Sequence, residues 1–351
     1  MHHRIWFFKP IIQIDGTWLY GKYKGTLLMA VAQDGNNNIF PIAFALVEEE
    51  TATAWSFFLK NLRAKVAPQP DICLILDMHA SIGSAYNNPA NGWHDPPSTR
   101  VYDIRHITQN FMRKIKDKFL TNHLVNAGYA LNQPGFQYYR REIELSNPDA
   151  GRWIYSIDRA RWTRSYDDWA RWGHMPTNLV ESMNDVFKGI RNLPVMALVS
   201  ATYFRMAILF ATRGKRWNSV LQTQQVYNDV CMNYVQQESA KGNTHRVTEF
   251  DRHGHTFSVK EIIDHNQRLP RQQYRISIPD RWCDCGQFQA YHIPYSHAIV
   301  SCSHSHFDAL SLVSPIYKVL TLLNVYDNYF SVVAMETYWP VYDGETVNAP
   351  E

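Results

Sequence analysis

The first quarter of the chain alternates apolar runs with turn signals, and this pattern constrains the fold more than any other feature. The turn-rich segment D-G-N-N-N, residues 34–38, separates two of these runs and predicts a β-hairpin. The short run Ile72–Leu76 is apolar throughout, as expected for a strand covered on both faces. We therefore predict an α/β core with three strands, one helix and a buried fourth strand: Ile11–Tyr20, Thr26–Gln33, Ile39–Val47, Ala52–Val66 and Ile72–Leu76.

The remainder of the chain changes character twice. A further strand near residues 100–104 and a helix over 107–119 are followed by helical spacing to about residue 240. Beyond Lys241 the pattern returns to β, before a Cys- and His-containing segment and a helical tail. We divide the chain into a core over 1–120, a helical insertion with a returning core helix over 121–240, a small β-rich module over 241–310 and a tail over 311–351.

Charge and composition exclude some classes of protein. With 35 Lys and Arg against 32 Asp and Glu, the net charge of +3 does not by itself identify a nucleic-acid binder. The apolar patch Ile5–Phe8 is broken at once by Lys9 and Pro10, which argues against a secretory signal. The run Val195–Thr212 contains Ser200, Thr202 and Arg205, so we predict a buried helix and no membrane partner. Five cysteines, an odd number, favour a reducing compartment.

Three acidic residues are the best indication of function. Asp15 and Asp77 interrupt or end strand-like runs, and Glu181 lies in a segment with helical spacing. A fold that brings them together would build a carboxylate cage for a divalent metal, as used in phosphodiester chemistry. Considered singly, Asp15 followed by Gly16 is also typical of a turn. Glu181 by itself is also typical of an exposed glutamate on a helix.

Six segments in fixed order resemble one known family. They are D-G-T-W-L, the run from Gly25 to Glu48, L-I-L-D-M-H, Y-D-I-R-H, T-N-L-V-E-S-M-N, and C-D-C-G with I-P-Y-S-H. Together they are similar to plant Mutator-like element (MULE) transposases with a SWIM zinc finger. The resemblance implies a ribonuclease H-like core with an all-helical insertion, in which Asp15, Asp77 and Glu181 are the catalytic carboxylates and hold Mg²⁺ or Mn²⁺.

Two positions near the second aspartate modify this expectation. Asp103 and His106 match a short D-x-x-H element of the family, in which His106 would orient a scissile phosphate or hold the loop near the site. Met78 stands where the family usually has a basic residue, which removes a contact to phosphate.

The zinc-finger pattern of the family is incomplete. Cys283, Cys285 and His297 match it, but Tyr295 replaces the third cysteine. Structural zinc usually has four ligands, and a neutral phenol is a poor one. The module must therefore recruit a further ligand, bind zinc weakly or have lost the metal; the candidates for recruitment are His292, Cys302 and His304.

The segment Arg152–Trp172 interleaves five arginines with aromatic residues, which is a pattern typical of contact with phosphates and unpaired bases. We expect one or two DNA contacts here and select Arg161 and Arg164. The alternative is that the tryptophans form the core of the insertion and the arginines its solvated face.

Two classes of function follow from these features. The first is a nuclear, metal-dependent DNA transposase that cleaves and joins strands, and is a homo-oligomer by analogy. The second is a non-catalytic DNA-binding or transcription-regulatory relative. Because the chain begins just before its first core strand, we also expect it to lack the family's amino-terminal DNA-binding module and to be a truncated element remnant.

Overall fold

A computed structural model describes residues 5–20, 24–175, 189, 191–251, 253–261, 273–327, 330 and 332. Its larger sheet has five strands in the order β3-β2-β1-β4-β5. The first three strands are antiparallel neighbours, and β4 and β5 run parallel to β1. The strand bounds are Ile11–Trp18 (β1), Thr26–Gln33 (β2), Ile39–Val47 (β3), Ile72–Leu76 (β4) and Ser98–Tyr102 (β5).

The predicted hairpin between β2 and β3 is confirmed, and Asp34 explains its geometry. The Oδ1 atom of Asp34 accepts hydrogen bonds from the backbone N–H groups of Asn36 and Asn38, at 2.9 and 2.8 Å. This short-range pairing is the mechanism by which aspartate stabilises a turn. Every residue of β2 is buried, whereas β3 is an edge strand of the sheet and most of its residues are half-buried.

Helices from distant parts of the chain cover one face of this sheet. They are α1 (Ala52–Lys65), α7 (Val195–Gln222) and α11 (Val319–Tyr326). The other described α-helices are α2 (Ala80–Asn87), α3 (Ile104–Ile115), α4 (Lys118–Tyr129), α5 (Gln133–Ser146), α6 (Pro148–Tyr155), α8 (Asp229–Gly242), α9 (Gln287–Tyr291) and α10 (Ser296–His304). Trp55, Phe210 and Val325 join Ile12 and Leu74 in one apolar core. The expected tail is therefore in part a component of the core, because α11 packs on the first sheet.

The helix predicted over Val195–Thr212 is present, but the prediction that it is buried was wrong, because most of its surface is exposed. Helix α7 buries Met206, Phe210 and Trp217, while Phe204 and Ile208 on its other side are 51% and 66% exposed. By length and composition α7 could cross a bilayer, with a mean hydropathy of 1.6 and only 17% of its most apolar 18 residues buried. Its apolar surface is thus divided between the sheet and the exterior.

A helical unit packs near the opposite face of the sheet. Helices α3 to α6 enclose a separate apolar core, which includes Phe111, Leu124, Ile143 and Trp162. Helix α3 begins at Ile104, three residues before the predicted start, because Asp103 caps it. The unit is fastened to β5 by Arg171, which donates hydrogen bonds to the carbonyl oxygen of Tyr102 at 3.1 Å and to that of Arg161 at 2.7 Å.

The predicted return to β structure gives a second, four-stranded sheet in the order β6-β7-β8-β9. Its antiparallel strands are His245–Asp251 (β6), Thr256–Glu261 (β7), Gln273–Ser277 (β8) and Trp282–Cys283 (β9). Phe257, Ile276, Phe288 and Cys302 form its core together with helices α9 and α10.

Candidate metal centres

Strand register aligns three aspartates across the first sheet. Gln13 of β1 is opposite Ile75 of β4, and Ile75 is opposite Val101 of β5. Two residues further along each parallel strand, the same alignment places Asp15, Asp77 and Asp103 in one row. Since side chains alternate between faces, all three belong to the face that carries Gln13, Ile75 and Val101. The row lies where β4 and β5 end, which is where sites of parallel sheets form.

Asp15 occupies a setting that disfavours its charge. Its Oδ1 atom accepts a hydrogen bond from the Gly16 N–H at 2.8 Å. Burial raises the pKa of Asp15 to about 6, and the charges of Asp103 and Glu50 also raise it, against the lowering effects of His106 and the Gly16 hydrogen bond. The charged form of Asp15 is therefore disfavoured, mainly by burial, and a bound divalent cation would stabilise it.

Asp77 lies one residue beyond β4 and faces the histidine of the D-x-x-H element. Its Oδ1 atom accepts a hydrogen bond from the Met78 N–H at 2.5 Å and lies 3.6 Å from His106 Nδ1. The Met78 side chain packs against the helical unit, with its sulfur 4.0 Å from Asn110 Nδ2. The position at which the family carries a basic residue is thus used for packing.

Asp103 has a positioning role. Its Oδ1 atom accepts a hydrogen bond from the Arg105 N–H at 2.8 Å, which caps helix α3, and its Oδ2 atom accepts one from Gln13 Nε2 at 2.9 Å. Because both oxygens are occupied and the residue is 4% exposed, its carboxylate is not presented to a ligand. It fixes the first turn of the helix on which His106 lies.

Glu50 is a fourth acidic residue that sequence reasoning missed. A side-chain carbon on Gly16 would lie 2.5 Å from Glu50 Oε1, so the glycine leaves room for this carboxylate. Burial raises the pKa of Glu50, and the charge of Asp77 raises it further. The available signal was the run of three glutamates, Glu48 to Glu50, directly after β3, which is also typical of a solvated loop.

The carboxylates of Asp15 and Asp77 are the type of ligand that suits a magnesium ion, but no group of three possible ligands found among the described residues includes either of them. Among the described residues, all hydrogen bonds to these two carboxylates are accepted by Oδ1. Their Oδ2 atoms are thus the candidate ligands for a cation that prefers oxygen and retains several waters. Glu181, the third predicted carboxylate, lies outside the described residues.

The second candidate centre lies in the small β module and contains the predicted zinc residues. The ligand atoms of Cys283, Cys285 and His297 all lie within 4.8 Å of one another, and all three residues are buried. The Cys283 sulfur is 3.5 Å from His297 Nδ1. A tetrahedral zinc ion with bonds of about 2.3 Å to sulfur and about 2.0 Å to nitrogen holds those atoms about 3.5 Å apart. The residues present therefore fit a zinc ion.

The electrostatics of this cluster favour a thiolate beside a protonated imidazole. A hydrogen bond from Cys283 lowers the pKa of Cys285 to about 6, while sharing that proton raises the pKa of Cys283. Burial lowers the pKa of His297, but hydrogen bonds to Cys285 and Glu261 outweigh it and raise the value to about 9. A thiolate is the form of cysteine that binds metal, and one is already favoured here.

None of the three candidates for recruitment joins the cluster of ligands found among the described residues. The His292 ring lies against Trp172, with ring centroids 3.8 Å apart, and Cys302 lies in the apolar core of the module. The His304 ring packs near Phe257, with centroids 6.3 Å apart. The phenol ring of Tyr295 remains beside His297, with centroids 5.4 Å apart.

A second group of possible ligands shares His297. It consists of His245, Glu261 and His297, whose ligand atoms also lie within 4.8 Å of one another. His245 and Glu261 are directly opposite each other on the adjacent strands β6 and β7, which explains how they meet. No local motif pointed to either of them.

The two arginines selected for DNA contact differ in exposure. Arg161 is partly exposed, with Nε 3.6 Å from Asp158 Oδ2. Arg164 is only 6% exposed, and its guanidinium lies over the Tyr291 ring at 5.2 Å. The expectation of a surface contact by Arg164 is therefore corrected, because this side chain joins the helical unit to the β module.

The fold and its centres define an α/β protein with a carboxylate site at the end of a mixed sheet and a separate thiol–imidazole cluster. Residues 11–110 match the family model of the MULE transposase domain. This match supports a MULE transposase-related protein, and such a domain implies DNA binding and a divalent metal. No curated protein matches the chain.

Proposed function

We propose that this transposase-related protein catalyses metal-dependent DNA strand cleavage and strand transfer at element ends. The observation that carries the proposal is the alignment of Asp15 with Asp77, beside His106, inside the segment that matches the transposase domain. In this proposal the two aspartates hold Mg²⁺ or Mn²⁺, and Glu181 completes the site. The bound metal ions would activate the attacking oxygen and stabilise the leaving oxygen.

The finer assignments belong to the same proposal. Three antiparallel strands followed by two parallel ones, with acids on β1 and after β4, support a ribonuclease H-like core. The geometry of Cys283, Cys285 and His297 supports zinc binding by a SWIM-like module. A plant origin, a nuclear location and a homo-oligomer are proposed from the family resemblance alone.

The local chemistry of the site assigns different roles to its residues. Asp15 and Asp77 each use one oxygen to anchor to a neighbouring backbone N–H, which fixes the direction of the carboxylate before any ligand binds. In this proposal His106, whose ring nitrogen is 3.6 Å from Asp77, would contact a phosphate oxygen at the same edge of the sheet. Such preorganisation is what positioning catalysis requires.

The test is nicking of supercoiled plasmid with Mg²⁺ or Mn²⁺ by the purified chain, beside Asp77→Asn. Asp71→Asn is a matched control, because Asp71 is an exposed aspartate at the opposite end of β4. Its backbone φ of 60° is one that asparagine tolerates. We expect wild type and Asp71→Asn to nick and Asp77→Asn to be inactive.

A non-catalytic DNA-binding relative is the second candidate function, favoured by the packing role of Met78 and by Tyr295. Fluorescence anisotropy with labelled duplex DNA separates the two candidates. DNA binding by folded wild type without nicking under any of these metal conditions would refute the catalytic proposal and support the second candidate.

A further inference from the structure

His297 is held between two different kinds of partner. Its Nδ1 atom lies 3.5 Å from the Cys283 sulfur, and its Nε2 atom lies 2.9 Å from Glu261 Oε1. The His297 side chain is 1% exposed, and that of Glu261 is 27% exposed. The histidine lies on helix α10, whereas Glu261 is the last residue of β7, outside the cysteine–histidine motif.

The carboxylate determines which ring nitrogen can bind a metal. A neutral imidazole carries one N–H donor and one lone-pair acceptor, while an ionised carboxylate only accepts hydrogen bonds. Because Glu261 faces Nε2, that nitrogen must carry the proton. In the neutral ring, which is the form that binds a metal, the lone pair of Nδ1 then faces the thiol pair, as a zinc ligand requires.

We infer that Glu261 is a positioning residue of this zinc centre, which fixes the tautomer and ring orientation of His297 through the Nε2–H hydrogen bond. The inference rests on the zinc binding proposed above. A carboxylate that accepts the second N–H of a metal-bound histidine also makes the imidazole a stronger ligand. With Tyr295 in place of the third cysteine, the centre depends more heavily on each remaining ligand.

A different arrangement would make Glu261 a direct ligand. In that case the ion would lie among His245, Glu261 and His297 Nε2, with no sulfur bound. The geometry favours the sulfur arrangement, because the Cys283–His297 separation already equals an edge of a zinc tetrahedron. In addition, His245 Nε2 lies 3.1 Å from Ser296 Oγ, which occupies that nitrogen.

The experiment compares metal binding by the full chain and its variants. Zinc affinity is measured by competition with a chromophoric chelator, and Co²⁺ loading is followed through its sulfur-to-metal charge-transfer band and its d–d bands. We expect Glu261→Ala to weaken zinc binding about 10–100-fold. Glu261→Gln keeps an acceptor oxygen and should weaken it less. Asp251→Asn is the matched control, because Asp251 lies at the other end of the same hairpin and should leave affinity unchanged.

The tautomer of His297 distinguishes the positioning role of Glu261 from a merely structural one. Nitrogen-detected NMR of the zinc-loaded wild type should show the proton on Nε2, and the cobalt spectrum should show two thiolates. If wild type binds zinc, and both Glu261 variants have the same zinc affinity and the same d–d bands as wild type, the inference is overturned but zinc binding is not. Absence of the charge-transfer band in the cobalt-loaded protein also overturns it, in favour of the His245 arrangement. A wild-type chain that binds neither metal overturns the inference together with zinc binding.

Discussion

Asp103 lies in the row of acids yet has both oxygens occupied, so two substitutions should differ sharply. In Asp103→Ala, helix α3 loses its cap, which costs about 0.5–2 kcal/mol. The buried Gln13 amide also loses its acceptor, at about 1–3 kcal/mol. The expected loss in the free energy of unfolding is therefore about 1.5–5 kcal/mol.

Asp103→Asn should cost less than about 1 kcal/mol, since the introduced amide keeps one oxygen to cap helix α3. The new amide N–H can pair with Gln13 Oε1, a buried atom without a hydrogen-bond partner among the described residues, if the Gln13 amide turns over. The substitution also removes a pH dependence. Burial raises the pKa of Asp103 above its ordinary 3.8, so the native state binds the proton more tightly. That contribution to stability is present at low pH and lost as pH rises through the native pKa.

The assays are urea unfolding followed by tryptophan fluorescence at several pH values, and plasmid nicking. Asp103→Asn should retain nicking, and its stability should fall less with rising pH than that of wild type. Asp103→Ala should be less stable and should displace His106. A stable Asp103→Asn protein that no longer nicks DNA would refute the positioning role and make Asp103 a direct member of the metal site.

Three further predictions concern other parts of the structure. Arg171→Met should lower the free energy of unfolding by about 3–5 kcal/mol, because it leaves the buried Asp167 without its partner at 3.2 Å. Adding Asp167→Asn to this variant should restore part of the lost stability in urea unfolding, and a double variant no more stable than Arg171→Met would contradict the explanation. Tyr295→Cys should tighten zinc binding and strengthen the cobalt charge-transfer band, and an unchanged band would place Tyr295 away from the metal. Glu50→Gln should raise the Mg²⁺ concentration needed for half-maximal nicking several-fold, and an unshifted titration would show that its charge does not act on the site.

The predicted strands were accurate where the pattern is local. The bounds of β2, β3 and β4 match those expected, because continuous apolar runs and the Asp34 turn leave little choice of ends. Asp15 and Asp77 could be selected because each interrupts or follows such a run. Their alignment, by contrast, depends on a parallel pairing that joins residues more than 60 positions apart.

The residues that sequence reasoning missed act over long range. Glu261 meets His297 because a strand, a helix and a hairpin converge, and nothing near Glu261 in the sequence records this contact. Arg164 was selected for DNA contact because arginines interleaved with aromatic residues are typical of contact with phosphates and unpaired bases. It is instead buried over the ring of Tyr291, which lies more than 100 residues later in the chain.

The two helices that close the first sheet have a consequence for synthesis of the chain. Helix α11 is held to the β2–β3 hairpin by a 2.8 Å hydrogen bond from the Tyr326 hydroxyl to Asp34 Oδ2, and Arg213 of α7 bonds to Ile39. A ribosome that has finished β5 must add about 220 residues before α11 exists, which takes roughly 10–45 s. During that interval α1 alone of the three helices covers the apolar face of the sheet, until α7 has been made. The segment that matches the transposase domain therefore lacks, by itself, two of the three helices that cover this face of its sheet.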